Sequence, residues 1–305
     1  MISNIIYTLA PICLFVYKRL DTLKEAVKSL QKNELAQLSD LYIFSDAAND
    51  PSEIQAVNKV RDFCETVTGF KSVKVICAEQ NLGLATSIIK GVSSVISKNE
   101  KIIVLEDDLV VSNNFLSFMN EALHYYKDKE KIFSITGYSS PMQNKKNKEV
   151  YFTKRGCSWG WGTWKEKWDT IDWNASDYES FIQNKEKQKQ FNKMGSDLTI
   201  SLMKQQMGMT NSWAIRWVYE QFKRDQYSVY PVVSKVSNEG FGDNATHTSK
   251  SNRNRFSTII DKTGKCNFEF PDIPYLDPYF VNQFIDRYSI KIRAFYKLKS
   301  ILNLM

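Results

Sequence analysis

Neither GxGxxG nor GxxxxGK[ST] occurs anywhere in the 305 residues, so the usual backbone cradles for a dinucleotide or a triphosphate are missing. The five cysteines (13, 64, 77, 157 and 266) form no CxxC pair and no zinc spacing. Three of them sit in apolar runs, where a free thiol acts as a small hydrophobe, which points to a reducing, cytoplasmic compartment. The apolar start, MISNIIYTLAPICLFVY, is interrupted by Asn4, Thr8 and Pro11 and has no basic leader. Neither a signal peptide nor a membrane-spanning helix is expected there. A large charge excess is missing too. Lys and Arg outnumber Asp and Glu by 41 to 34, an excess compatible with a phosphate-bearing ligand, an anionic membrane surface or a plain solvated surface. No basic block interleaved with aromatics suggests a nucleic-acid groove.

What is present is an alternation of short apolar runs and helical periodicities. Strands are expected at Ile12 to Val16, Leu41 to Phe44, Val73 to Ile76 and Ile102 to Leu105. Helices are expected after Thr22, with Glu25 completing a capping box, after Ser52 with Gln55, from Leu84 to Ile96, and from Phe115 to Tyr126. This order implies an α/β fold with a mostly parallel sheet covered on both faces. Ligands of such sheets bind beyond the carboxyl ends of the strands. Arg19, Asp46, Asn81 and the acids Glu106, Asp107 and Asp108 all follow strand runs, and so should meet at one edge.

The three adjacent acids ending KIIVLEDD repel one another, so stability alone would not select them. A divalent cation, a cationic substrate or a solvent-facing loop would each make them tolerable. With no phosphate cradle elsewhere, a hard cation shared between Asp108 and a diphosphate is the reading that joins both observations. Mn²⁺ and Mg²⁺ suit one or two carboxylates completed by phosphate and water.

In order, VYKRLDTLKEAV, YIFSDAAND, NLGLATSIIKGV, VLEDDLVVSNNFLSF, SITGYSSP, CSWGWGTWKEKW, NSWAIRW and SNEGFGDNATHT resemble the nucleotide-sugar glycosyltransferases of the GT-A fold. The likeness is to bacterial polysaccharide-type enzymes and, more remotely, to the N-acetylglucosaminyltransferase I family. It runs from about residue 10 to residue 248. The resemblance implies a Rossmann-like catalytic domain over 1–250, with a nucleotide-binding half, 1–109, and an acceptor half, 110–250. It also implies Arg19 near the nucleotide, Asp46 accepting from a uracil ring, and Asn81 and Gly83 against the nucleotide pocket. Glu106 and Asp107 would order the ribose and donor sugar, and Asp108 would ligate Mn²⁺ or Mg²⁺.

The same family places an acid beside the tryptophan of NSWAIRW, to take the proton from the attacking hydroxyl in an inverting transfer. Here Thr210 to Arg216 contains none, which leaves Asp243 and Asp197 as base candidates. His247, in the glycine-bearing loop with Asp243, would touch the diphosphate or complete the metal shell.

Trp159, Trp161, Trp164, Trp168 and Trp173 crowd one stretch broken by Gly156, Gly160 and Gly162. Trp164 and Trp168, four apart on an expected helix, are read as structural. Trp159 and Trp161 are read as the wall against the acceptor or donor sugar, since sugar C–H faces pack on indole. Residues 176–209 read as a polar helical insertion or lid.

After the prolines of 251–280, the tail VNQFIDRYSIKIRAFYKLKSILNLM is basic and amphipathic, able to rest on the anionic inner face of a plasma membrane or to dock on the domain. The whole points to a metal-dependent, inverting transferase. It would move sugar from a UDP-sugar to a saccharide, most naturally a lipid-linked oligosaccharide of an O-antigen or capsule. A sugar-nucleotide nucleotidylyltransferase and a catalytically silent sugar-nucleotide binder are the alternatives.

Overall fold

The computed structural model describes residues 7–240 and 255–301. The first four apolar runs form strands β1 (Ile12–Val16), β2 (Asp40–Ser45), β3 (Ser72–Cys77) and β4 (Lys101–Glu106). They lie in the spatial order β3-β2-β1-β4, all parallel. Helices α1 (Leu20–Gln31), α2 (Ile54–Glu65), α3 (Leu84–Ile96) and α4 (Phe115–Tyr125) alternate with them. The period of two decides which face each strand residue serves. Ile12, Leu14, Ile103 and Leu105 pack on the α1, α2 and α4 side, while Cys13, Phe15, Ile102 and Val104 pack on the α3 side.

Neither expected capping box forms. Thr22 lies inside the first turn of α1 and its hydroxyl donates back to the Arg19 carbonyl, 3.2 Å away, so Arg19 is the N-cap residue and no side chain caps the helix. Ahead of α2, Asp50 takes the capping role two residues earlier than Ser52, accepting from the Ser52 N–H at 2.8 Å while Pro51 opens a 3₁₀ turn. An acceptor placed before a proline-started turn outcompetes one inside it.

Beyond β4 the sheet becomes mixed. Strand β5 (Leu109–Val111) leaves the main sheet and pairs antiparallel with β10 (Val236–Asn238). The main sheet continues through β8 (Trp161–Trp164), antiparallel to β4 and to β6 (Ile132–Thr136), and ends with β9 (Tyr227–Pro231) and β7 (Val150–Thr153).

Trp164 is therefore on a strand, not on a helix with Trp168, which sits in α5 (Lys165–Trp168). Both are core, as expected: the indole N–H of Trp164 donates to the Leu123 carbonyl, 3.0 Å, and that of Trp168 to Ser93 Oγ, 2.8 Å.

Helices α6 (Tyr178–Gln183), α7 (Lys185–Phe191) and α8 (Leu198–Gln206) make up the insertion. Phe181, Phe191, Leu198 and Leu202 join the same apolar cluster as Trp217 and Tyr219 of α9 (Trp213–Lys223). The insertion is thus packed onto the domain in this structure.

The tail breaks into two helices at Ser289, whose backbone is extended. In α10 (Pro278–Tyr288), Phe280 and Phe284 pack on Tyr151 and Tyr230. In α11 (Ile290–Ile301), Ile290, Phe295 and Leu298 are 70%, 50% and 56% exposed. No helix among the described residues is long and apolar enough to cross a membrane.

Candidate active site

The order β3-β2-β1-β4 reverses direction between β1 and β4, because β2 and β3 extend one side of β1 and β4 returns to the other. Such a switch point opens a crevice at the carboxyl ends of the two central strands. A cleft of about 870 Å³ lies there. Arg19 borders it from the end of β1, Asp46 from the end of β2, Asn81 and Gly83 from the turn into α3, and Glu106, Asp107 and Asp108 from the end of β4. Trp159 and the segment from Met209 to Ala214 close the far side. The convergence expected from strand-end positions is therefore observed.

Arg19 is the cation of the acid cluster. Its guanidinium bonds Asp107 Oδ1 and lies 3.0 Å from Asp108 Oδ2, while the Tyr17 N–H donates to Asp107 Oδ2 at 3.2 Å. Burial works to lower the Arg19 pKa, but the carboxylates of Asp107 and Asp108 prevail and raise it. One guanidinium does not neutralise three carboxyls. Burial, reinforced by Asp108 and Asp107, pushes Glu106 well above the usual carboxylate range. Burial also takes Asp107 up to about 6 against the pull of Arg19.

Carboxyls whose folded pKa is raised bind their proton more tightly folded than unfolded. They cost nothing at acid pH and destabilise the native state progressively as pH rises past about 4. Metal-free protein should therefore gain stability from Glu106→Gln at pH 8, by about 2 kcal/mol, and gain little at pH 5. Thermal unfolding in EDTA at the two pH values measures this.

The loop carrying the acids is fixed from behind. The Glu239 N–H donates to the Asp108 carbonyl at 2.8 Å, extending the β5–β10 ladder. Gly240 packs so closely that a Cβ there would stand 2.1 Å from Asp108 Oδ2 and 2.9 Å from Arg19 Nη1. Gly240→Ala must displace the Asp108 carboxylate and shift the Arg19 guanidinium with it. Overpacking of this kind costs about 1–3 kcal/mol, so Gly240→Ala should lower stability by about that much, measured by denaturant unfolding in EDTA.

Asp46 borders the cleft with its carboxylate already engaged by the protein. Its Oδ1 accepts from the N–H groups of Ala47 and Leu82, both at 2.9 Å, and its Oδ2 from the Gly83 N–H at 2.8 Å and the Ser87 hydroxyl at 3.3 Å. Four donors fill a carboxylate's acceptor sites. In this structure Asp46 tethers the turn into α3, and a uracil N–H would have to compete for it. Asn81 reinforces the tether, its amide donating to the Ala47 carbonyl at 2.7 Å. Gly83 enters α3 at φ +72 with open space where a Cβ would stand, a backbone suited to glycine and free for close approach.

Two groups at this site escaped the sequence reading. Arg61, inside α2, donates to the carbonyls of Ala78 (2.7 Å) and Asp46 (3.3 Å), tying the ends of β2 and β3 together. Its partners are carbonyls 15 and 17 residues away, which no local pattern encodes. Tyr17 and Lys18 converge on Glu53 at the cleft edge, and these two bonds, Lys18 first, hold its carboxyl down to about 2. A polar pair following a buried strand was the available signal.

Trp159 lines the cleft, but Trp161 does not. Strand β8 is covered on both faces, and Trp161 lies in the cluster with Trp213 and Trp217, 1% exposed, its ring centroid 4.9 Å from Trp217 and 5.1 Å from Trp213. Its assignment to a sugar wall is corrected to the core.

Asp197 also stands outside this cleft. Arg155 Nη1 and Nη2 donate to its two oxygens at 2.9 Å each. Burial would raise its pKa, but Arg155 outweighs that and lowers it, a poor starting point for a base. Asp243 and His247 lie outside the described residues. The segment Thr210–Ser212 borders the cleft without an acid.

Among the described residues no group of three or more His, Cys, Asp and Glu forms a ready cation cage. The donor set fits a hard cation held through Asp108, with oxygens of the ligand and water filling the remaining positions.

A sequence profile described as glycosyl transferase family 2 matches residues 12–196, a span that includes Arg19, Asp46, Asn81, Gly83 and the acids at 106–108. No curated protein matches the chain. Among solved structures, residues 1–349 of S. aureus TarS are 15% identical over 53% of this chain and 50% of that one, with a TM-score of 0.34. The mannosyltransferase PcManGT from Pyrobaculum calidifontis, in complex with GDP-Man and Mn²⁺, is 9% identical over 53% of this chain and 49% of its own, TM-score 0.34. A UDP-glucose pyrophosphorylase complexed with UDP-glucose is 14% identical over 73% and 90%, TM-score 0.37. The chain spans about half the length of the first two structures. With the profile covering more than half of the sequence and the α/β sheet carrying its acids at the switch point, the chain belongs to glycosyl transferase family 2.

Proposed function

We propose that this GT-A glycosyltransferase is metal-dependent and inverting, takes a UDP-sugar as donor, and extends a lipid-linked oligosaccharide for a bacterial surface polysaccharide. The observation that carries the reading is the position of Asp107 and Asp108 at the sheet's switch point, with Arg19 as their cationic partner.

Asp108 would hold Mn²⁺ or Mg²⁺, and the ion, when bound with the donor, stabilises charge on the departing diphosphate. Arg19 keeps Asp107 oriented and adds positive charge beside the phosphates. Asp46, Asn81 and Arg61 fix the turn at Gly83, whose backbone would border the nucleotide. Glu106 and Asp107 would order the ribose and donor sugar, and Trp159 would stack on a sugar face across the cleft.

For the base we propose Asp243, three residues after Gly240, which itself packs on Asp108. His247 in the same segment would meet the diphosphate. The exposed apolar residues of α11, beside Lys291 and Lys299, suit the anionic inner leaflet where a lipid-linked acceptor would reside.

The experiment is UDP release from a panel of UDP-sugars with saccharide acceptors, in Mn²⁺, Mg²⁺ or EDTA. Cation-dependent UDP release with an inverted product supports the reading. Pyrophosphate release from a nucleoside triphosphate and a sugar phosphate would replace it with nucleotidyl transfer. The absence of an acid from Thr210 to Ser212 favours one rival, a silent binder, which would bind UDP-sugar and turn over nothing.

A further inference from the structure

Beside the donor cleft is a second pocket of about 250 Å³, and the two share Ser158, Trp159, Ser212 and Ala214 as common lining. Pockets for drug-sized ligands run about 300–1,000 Å³, so this one suits a smaller body, on the scale of one sugar ring.

Its walls have three kinds of chemistry. Rings come from Trp159, Tyr138, Phe256 and Tyr288; the Tyr138 and Phe256 rings stand edge-on to Trp159 at centroid distances of 4.6 and 5.7 Å. Hydroxyls come from Ser158, Ser201 and Ser212. The charged element is the Asp197–Arg155 pair, with the Arg155 guanidinium 3.9 Å from the centre of the Tyr288 ring. That pair is built in: at Gly195 a Cβ would stand 2.1 Å from Arg155 Nη1 and 2.7 Å from Asp197 Oδ1.

We propose that this pocket is the subsite for the terminal pyranose of the acceptor, its C–H face on the aromatic rings and a ring hydroxyl donating to Asp197. The inference rests on the glycosyltransferase reading and names a different place, and a different role for Asp197, from the donor site. The chemistry selects among ligands. Arg155 donates to both Asp197 oxygens, and a carboxylate oxygen with one partner still has a lone pair to accept from a hydroxyl. A wholly apolar ligand would leave the remaining acceptor site of Asp197 and the serine hydroxyls without partners, which is costly when water is excluded. A pyranose presents an apolar face and a rim of hydroxyls together. The shared Trp159 then sets the accepting ring directly against the donor cleft. Asp197 thereby becomes a positioning residue: Arg155 keeps it ionised as an acceptor and unsuited to taking a proton.

Ser201 lines this pocket and not the cleft, so Ser201→Trp fills the one and spares the other. Saturation-transfer NMR with a panel of methyl pyranosides, with calorimetric titration of UDP in Mn²⁺ run alongside, tests the assignment. At least one pyranoside should give transfer with the wild type and none with Ser201→Trp, while UDP affinity stays within about twofold. Equal transfer to both proteins, or no transfer from any pyranoside to the wild type, overturns the assignment. Should Ser201→Trp fail to fold, Ser201→Leu narrows the same pocket and is read the same way. Absence of UDP binding by the wild type sinks the donor reading instead, so the two failures are distinguishable.

Discussion

Asp108→Asn is expected to reduce cation-dependent turnover by about 10²–10³-fold, the cost of losing one preorganised electrostatic contact to a developing charge. The folded protein should survive the change without loss. Asp108 shares Arg19 with Asp107, and its charge is one of the two that push Glu106 upward, so removing it relieves repulsion inside the metal-free site. Activity and stability should therefore move in opposite directions. Steady-state UDP release and thermal unfolding in EDTA, measured on one preparation, separate this outcome from general damage. A variant that unfolds as readily as it loses activity would place Asp108 in the scaffold, not the chemistry.

Trp161→Ala should cost about 3–5 kcal/mol of stability, measured by denaturant unfolding. Trp161 is nearly fully buried and has Trp168, Trp213 and Trp217 around it at centroid distances of 4.9–5.7 Å. Its backbone also joins β4 to β6 through β8. A cavity there would reach the active site through Trp213, which packs on Trp161 and lines the donor cleft. The surviving folded fraction should bind UDP more weakly. Trp159→Ala, a cleft residue in the same run, should leave stability far less changed. The contrast tests why two tryptophans two residues apart differ so much.

That contrast also marks how far the sequence was readable. The first half of the chain was legible because its signals are local. Apolar runs of four or five residues gave β1 to β4 to within a residue at either end, and the rule that ligands bind past parallel strand ends brought Arg19, Asp46, Asn81 and the acids together. The tryptophan stretch resisted because the same residue type serves core and surface. Trp164 four residues before Trp168 fits a helix by spacing, yet β8 ends between them. Whether Trp161 faced in or out depended on its register against Val104 and Thr136, a long-range pairing no window reveals.

Asp46 illustrates another limit. Its place at the cleft was correct, but its carboxylate serves N–H groups 36 and 37 residues away, a partner choice set by how α3 docks. For Asp197, a polar helical context gave no hint of Arg155, 42 residues earlier.

The most direct test of the central claim is a titration of UDP in the presence and absence of Mn²⁺, with the reciprocal titration of Mn²⁺ with and without UDP. If Asp108 and a diphosphate share one cation, each ligand strengthens the other by the same factor, and Asp108→Asn abolishes that coupling. UDP affinity indifferent to Mn²⁺, or coupling that persists in Asp108→Asn, would contradict the account.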